Sequence, residues 1–111
     1  MSYPTFVSPV QREVMQERDR QDAKWGQQNH PDGSGDEPGS RLRALQADHA
    51  REVCQKHAAE GTVTWLDILR EELAEAFAES DPAKLRAELI QVAAVAVAWV
   101  EAIDRRTARG E

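Results

Sequence analysis

Apolar residues recur along this chain at intervals of three and four, the spacing of one helical face, in four blocks separated by breaker residues. Ser8 followed by Pro9 supplies an N-cap and a first-turn proline, so a helix is predicted from Pro9 to about Lys24, with Val10, Val14 and Met15 facing inward. Residues 1–7 before it read as an irregular arm. Residues 26–40, GQQNHPDGSGDEPGS, are turn formers that exclude a regular element. The tip of this loop, Asp32–Gly39, is expected to move freely in solvent, and its first part, near Trp25, Asn29 and His30, to be tied down. A second helix is predicted from about Arg41 to Ala59, with Leu42, Leu45, His49 and Val53 at helical spacing and Gly61 as its stop.

Thr64 then caps a third helix, with Asp67 completing a variant of the capping box, and Leu66, Leu69, Leu73 and Phe77 trace its apolar seam. Asp81-Pro82 starts a fourth helix reaching about Arg106, along which Leu85, Leu89, Val92, Ala96, Trp99 and Ile103 approach the spacing of a bundle seam. The short turn between the third and fourth helices predicts an antiparallel hairpin. From Ile90 to Val100 the fourth helix is apolar nearly all round, which one small chain does not readily cover. An all-α, four-helix bundle completed by oligomerisation is therefore predicted, as one domain over residues 1–111.

Acids interrupt these apolar patterns at particular places. Glu71, Glu72 and Glu75 lie in the run EELAE, and Glu88 and Gln91 in ELIQ. Acids three apart on a helix project from neighbouring turns of one face, and both groups border the seams of their helices. Carboxylates sharing a dry groove repel one another strongly unless they are protonated or a cation sits among them. Hard divalent cations, Mg²⁺ above all, take such oxygen donors and leave places for water and substrate phosphate. The plain alternative is a solvated face, because glutamate is a strong helix former and EExxE patterns are common. The second acid on the next helix, beside the most apolar stretch of the chain, favours the cation.

Composition narrows the function classes. A net charge of −6 with no broad basic patch argues against binding a nucleic-acid polymer, though bound metal would reverse the local sign for a nucleotide. Cys54 is the single cysteine, which excludes an internal disulfide and a thiolate metal cage. The N-terminal residues have neither a basic nor an apolar signal region, and the apolar run 92–100 is too short to span a bilayer, so a cytoplasmic protein is expected. Trp25 supports two readings, a stacking face for a base or a plug at the end of the first helix. Lys24 can pair with phosphate and Asn29 can read a base edge, whereas Asn29-His30-Pro31 is also ordinary turn chemistry. His49 and His57, two turns apart, read as surface or packing residues rather than a zinc site.

The pattern EExxE, twelve residues, then ExxQ resembles the EExxE…ExxD signature of the MazG-like, all-α nucleoside triphosphate pyrophosphohydrolases. The stretches TWLDILREELAEAFAESDPAKLRAELIQVAAVAVAWVEAIDRR and ERDRQDAKWGQQNHPDG resemble small MazG-like proteins of bacteria and phages. That resemblance implies a helical bundle of two or more subunits, a homodimer or homotetramer. It also implies Mg²⁺-dependent cleavage, with Mn²⁺ as a substitute, between the α and β phosphates of a nucleoside triphosphate. By position, Glu72, Glu75 and Glu88 match the family's metal-binding acids, Gln91 stands where the family has Asp, and Glu71 matches the leading Glu. Glu71 and Glu72 are thus the expected catalytic pair, and Lys24, Trp25, Asn29 and Arg70 the expected substrate contacts. Where Gln91 weakens the metal site, Asp67, Glu79 or a partner's acid is expected to compensate. The rival expectation is a non-catalytic nucleotide-binding or helical interaction protein on the same fold, and a third is an oligomeric scaffold.

Overall fold

A computed structural model describes residues 3–35 and 39–111, and among these every regular element is helical. The helices are α1 (Pro9–Trp25), α2 (Ser40–Ala59), α3 (Trp65–Ala78) and α4 (Pro82–Ala108). None is long and apolar enough to cross a membrane. Their ends follow from side-chain capping. The Ser8 hydroxyl accepts from the Gln11 N–H at 3.2 Å while the Gln11 amide oxygen accepts from the Ser8 N–H at 3.0 Å. Thr64 and Asp67 make the same reciprocal pair at the start of α3, and the Asp81 carboxylate accepts from the Lys84 N–H at 3.0 Å at the start of α4. Gly61, at φ +73°, ends α2, where the Thr62 N–H reaches back to the His57 carbonyl at 2.8 Å.

The described residues fall into two compact units. One comprises α1, its flanks and the end of α4 (residues up to 31, and 100–111); the other covers residues 32–99. In the first, Val10 is buried and Val14 is exposed, against the expectation that both pack. The Tyr3 hydroxyl donates to Asp19, and Val7 N–H closes a turn on the Pro4 carbonyl at 3.1 Å, so the arm folds onto its own helix.

In the second unit α2 and α3 form the pair whose backbones approach closely. Contacts from His57 to Asp67, Cys54 to Glu71 and Arg51 to Glu75 climb one helix as they descend the other, so the pair is antiparallel. Its interior is built from small side chains, with Ala47, Ala50, Cys54 and Ala76 all buried, which is what permits the close approach. α4 follows α3 after a three-residue turn and carries buried Leu85 near its start.

The polar loop also differs from expectation. Trp25, Asn29 and His30 are exposed, and His30 bonds to nearby Gln28, at 3.0 Å. The anchored part is Ser34-Gly35: the Ser34 hydroxyl donates to the Glu79 carbonyl at 2.9 Å and the Gly35 N–H to the Phe77 carbonyl at 2.8 Å. These bonds satisfy carbonyls at the end of α3 that have no partner within the helix. Residues 36–38 of the expected mobile tip lie outside the described residues.

Candidate functional site: an acidic cleft on the α2–α3 pair

The α2–α3 pair has two unlike faces. On one, Leu66, Leu69, Leu73 and Phe77 of α3 meet Gln46, His49 and Ala50 of α2 around an apolar groove of about 400 Å³. This seam, expected to be core, is largely open: Leu66 is 50% exposed and Phe77 55%, and Leu42 and Leu45 on α2 are 58% and 59% exposed. Leu89 and Ile90 of α4 are exposed as well.

The opposite face carries the acids. Glu72 and Glu75 of α3 and Glu88 of α4 each bring a carboxylate oxygen within 4.8 Å of the others, the one such donor set among the described residues. Beside them lies a cleft of about 360 Å³ floored by Ala44, Ala47 and Ala78 and walled by Asp48, Arg51, Glu75, Glu79 and Glu88. The alanines explain why there is room: three methyl-sized side chains leave the space between α2 and α3 unfilled. Arg51 Nε stands 3.6 Å from Glu75 Oε1, and Arg51 Nη1 3.2 Å from Asp48 Oδ1.

The electrostatics of the cleft follow from that geometry. Glu72 is pushed above the ordinary glutamate range first by partial burial, then by the charges of Glu88 and Glu71. Glu75 is also raised, first by partial burial and then by Glu72, Glu88 and Glu71, with Arg51 pulling the other way without reversing the shift. Asp67 is lowered, chiefly by its bond to His57. The donor set suits a hard divalent cation: anionic oxygens only, mutually repelling, and converging from two helices.

A pH dependence follows with a definite sign. Glu72 and Glu75 bind protons more tightly folded than unfolded, so they favour the fold below their raised values and destabilise it as pH climbs through and above them. Asp67 acts oppositely, and its contribution is lost as pH falls through its depressed value. Thermal stability without divalent cation is therefore expected to peak in the mildly acidic range and to decline towards neutrality. Mg²⁺ at about a hundred times its dissociation constant should restore roughly 2.7 kcal/mol at neutral pH, a shift on the order of 10 °C, and far less in acid. A melting-temperature series across pH, with and without Mg²⁺, checks this. An increment from Mg²⁺ as large in acid as at neutrality contradicts it.

The remaining expected site residues are distributed unevenly. Glu71 is turned towards Cys54 on α2, yet stands near enough to the cluster to push up both Glu72 and Glu75. Gln91 lies one turn beyond Glu88 on α4 and is exposed. Of the two acids of this chain expected to compensate for it, Asp67 is already committed: its Oδ2 receives His57 Nδ1 at 2.8 Å and the Thr64 N–H at 3.1 Å. Glu79 lines the cleft, although its Oε1 accepts from the Asp81 N–H at 3.1 Å. Arg70 lines the apolar groove on the far face of α3 and not the acidic cleft. Lys24, Trp25 and Asn29 belong to the other unit, all exposed, with the Lys24 ammonium 4.7 Å from the Trp25 ring centre. Arg51 and the His57–Asp67 tie were not anticipated; helical spacing alone gives no sign of a partner on another helix. Comparison of the chain with protein-family models, curated proteins and solved structures returns no match.

Proposed function

We propose that this chain is a Mg²⁺-dependent nucleoside triphosphate pyrophosphohydrolase of the MazG-like type, cleaving between the α and β phosphates to give a monophosphate and pyrophosphate. The observation that carries this reading is the convergence of Glu72, Glu75 and Glu88 within 4.8 Å of one another. Three carboxylates so close, with Arg51 as a partial counter-charge, are the electrostatic complement of a divalent cation. Such a cation, when bound, polarises a phosphoryl oxygen and offsets the charge that builds up on the phosphate groups. Glu72, Glu75 and Glu88 would hold it, and Glu71 and Glu72 would orient the attacking water and take up its proton.

The exposed apolar face of α2–α3 supports a homodimer or homotetramer, in which that face is covered while the acids on the opposite face stay accessible. A non-catalytic nucleotide-binding or interaction protein is the second reading, favoured by the neutral amide of Gln91 where an acid would add charge. Incubation with each ribo- and deoxyribonucleoside triphosphate plus Mg²⁺, following monophosphate and pyrophosphate, decides between them. Turnover supports the enzyme, and Mg²⁺-dependent nucleotide binding without turnover supports the second reading. Gln91→Asp is expected to tighten Mg²⁺ on the order of tenfold by adding an anionic ligand, as measured by calorimetry. An unchanged affinity would remove Gln91 from the site.

A further inference from the structure

Within the acidic cleft one side chain has the wrong sign. Arg51 is the cation among its lining residues, set against Asp48, Glu75, Glu79 and Glu88. Its contact with Glu75, at 3.6 Å, is longer than a hydrogen bond and half-open to water, so it is a Coulombic contact that can be exchanged at little cost. Its contact with Asp48, three residues back on the same helix and 3.2 Å away, is an ordinary hydrogen bond that keeps the head group over the cleft. Arginine carries five N–H donors in a planar fork, and these two contacts leave donors unused. The alanine floor leaves the guanidinium room to turn.

We propose that Arg51 is an exchangeable counter-charge: it neutralises Glu75 while the cleft holds no cation, and passes to a phosphate oxygen of the ligand once a divalent cation takes Glu75. This rests on the reading of the acids as a cation site. The charge inventory supplies the reason. A polyphosphate entering a cleft walled by several carboxylates meets net repulsion even after one divalent cation has bound. A second positive group, already in place and relieved of its partner by that same cation, removes the deficit. Guanidinium is the suited group because its fork matches phosphate oxygens in pairs. Binding of cation and of phosphate is then ordered, with the cation first.

The test uses the full chain, Mg²⁺ and inorganic pyrophosphate as probes, followed by calorimetry. Wild-type protein is expected to bind Mg²⁺ alone, and to bind pyrophosphate only when Mg²⁺ is saturating. Arg51→Gln should bind Mg²⁺ as tightly or more tightly, its competitor for Glu75 being gone, and lose about tenfold or more in pyrophosphate affinity. Arg51→Lys, keeping charge but not the fork, should fall between. Pyrophosphate affinity unchanged in Arg51→Gln, with Mg²⁺ binding intact, overturns the role of Arg51. Failure of wild-type protein to bind Mg²⁺ overturns the cation site instead, so the two failures are told apart. A second measurement needs no variant: the Arg51 side-chain Nε–H resonance should shift when Mg²⁺ is added and shift again with pyrophosphate. A resonance unmoved by Mg²⁺, in protein shown to bind it, also sinks the proposal.

Discussion

Glu75→Gln is expected to abolish detectable release of pyrophosphate from nucleoside triphosphates and to leave the chain folded, with a melting temperature at neutral pH equal to or above that of the parent. Both halves come from the same geometry. Glu75 sits on the wall of the cleft, its carboxylate shared between Arg51 and the cluster with Glu72 and Glu88. Loss of even an outer-shell partner of a metal ligand costs roughly 10–100-fold in affinity, so loss of a ligand carboxylate should cost more than about 100-fold. Against this, Glu75 is held above its ordinary proton affinity by partial burial and like charge, which makes its ionised form a burden on the folded state. Removing that charge relieves Glu72 and Glu88; the lost attraction to half-exposed Arg51 is small. Activity and stability thus move in opposite directions, as they do where a site is built at the expense of the fold. Parallel measurement of turnover, Mg²⁺ affinity and melting temperature checks this. A variant that loses stability and turnover together would show that Glu75 is structural.

Gly35→Ala is expected to be the most damaging small substitution in the second unit. Gly35 lies at φ +70°, and an added Cβ would stand 2.6 Å from both Ser80 Cα and Ser80 N and 2.7 Å from the Glu79 carbonyl carbon. Those are backbone atoms, so no side chain can swing aside. The left-handed conformation alone costs roughly 1–2 kcal/mol for a residue with a Cβ, and relieving the overlap costs on the order of 1–3 kcal/mol more. Relief would also pull the Gly35 N–H from the Phe77 carbonyl and the Ser34 hydroxyl from the Glu79 carbonyl, uncapping α3 one turn beyond Glu75. A fall in melting temperature on the order of 10 °C or more is the expected reading. Gly33→Ala serves as the control, since it shares the positive φ but meets nothing within 4 Å. Equal losses for the two would mean that only backbone conformation matters.

The helix boundaries were legible because they are written in local chemistry. Ser8-Pro9, Thr64 with Asp67 and Asp81-Pro82 each fix a start through bonds spanning three residues, and helical periodicity placed Glu72 and Glu75 on one flank of their seam. What escaped depends on distant partners. Ser34 and Gly35 read as turn formers in sequence, but their acceptors lie more than forty residues away at the end of α3. Arg51 and His57 gain their roles from Glu75 and Asp67 on another helix. The seam of Leu66, Leu69, Leu73 and Phe77 was recognised as apolar, yet periodicity cannot tell a face buried in its own chain from one left open.

Cys54, in the small-residue interface of α2 and α3, has a consequence for handling the protein. Burial first, and then the facing Glu71, push its thiol up to about 11. At neutral pH the sulfur is almost wholly protonated and largely shielded, so it should react far more slowly with oxidants and alkylating reagents than an exposed cysteine. It becomes reactive when the two helices separate. Any covalent label found on that sulfur is thus a chemical timestamp of an opened helix pair.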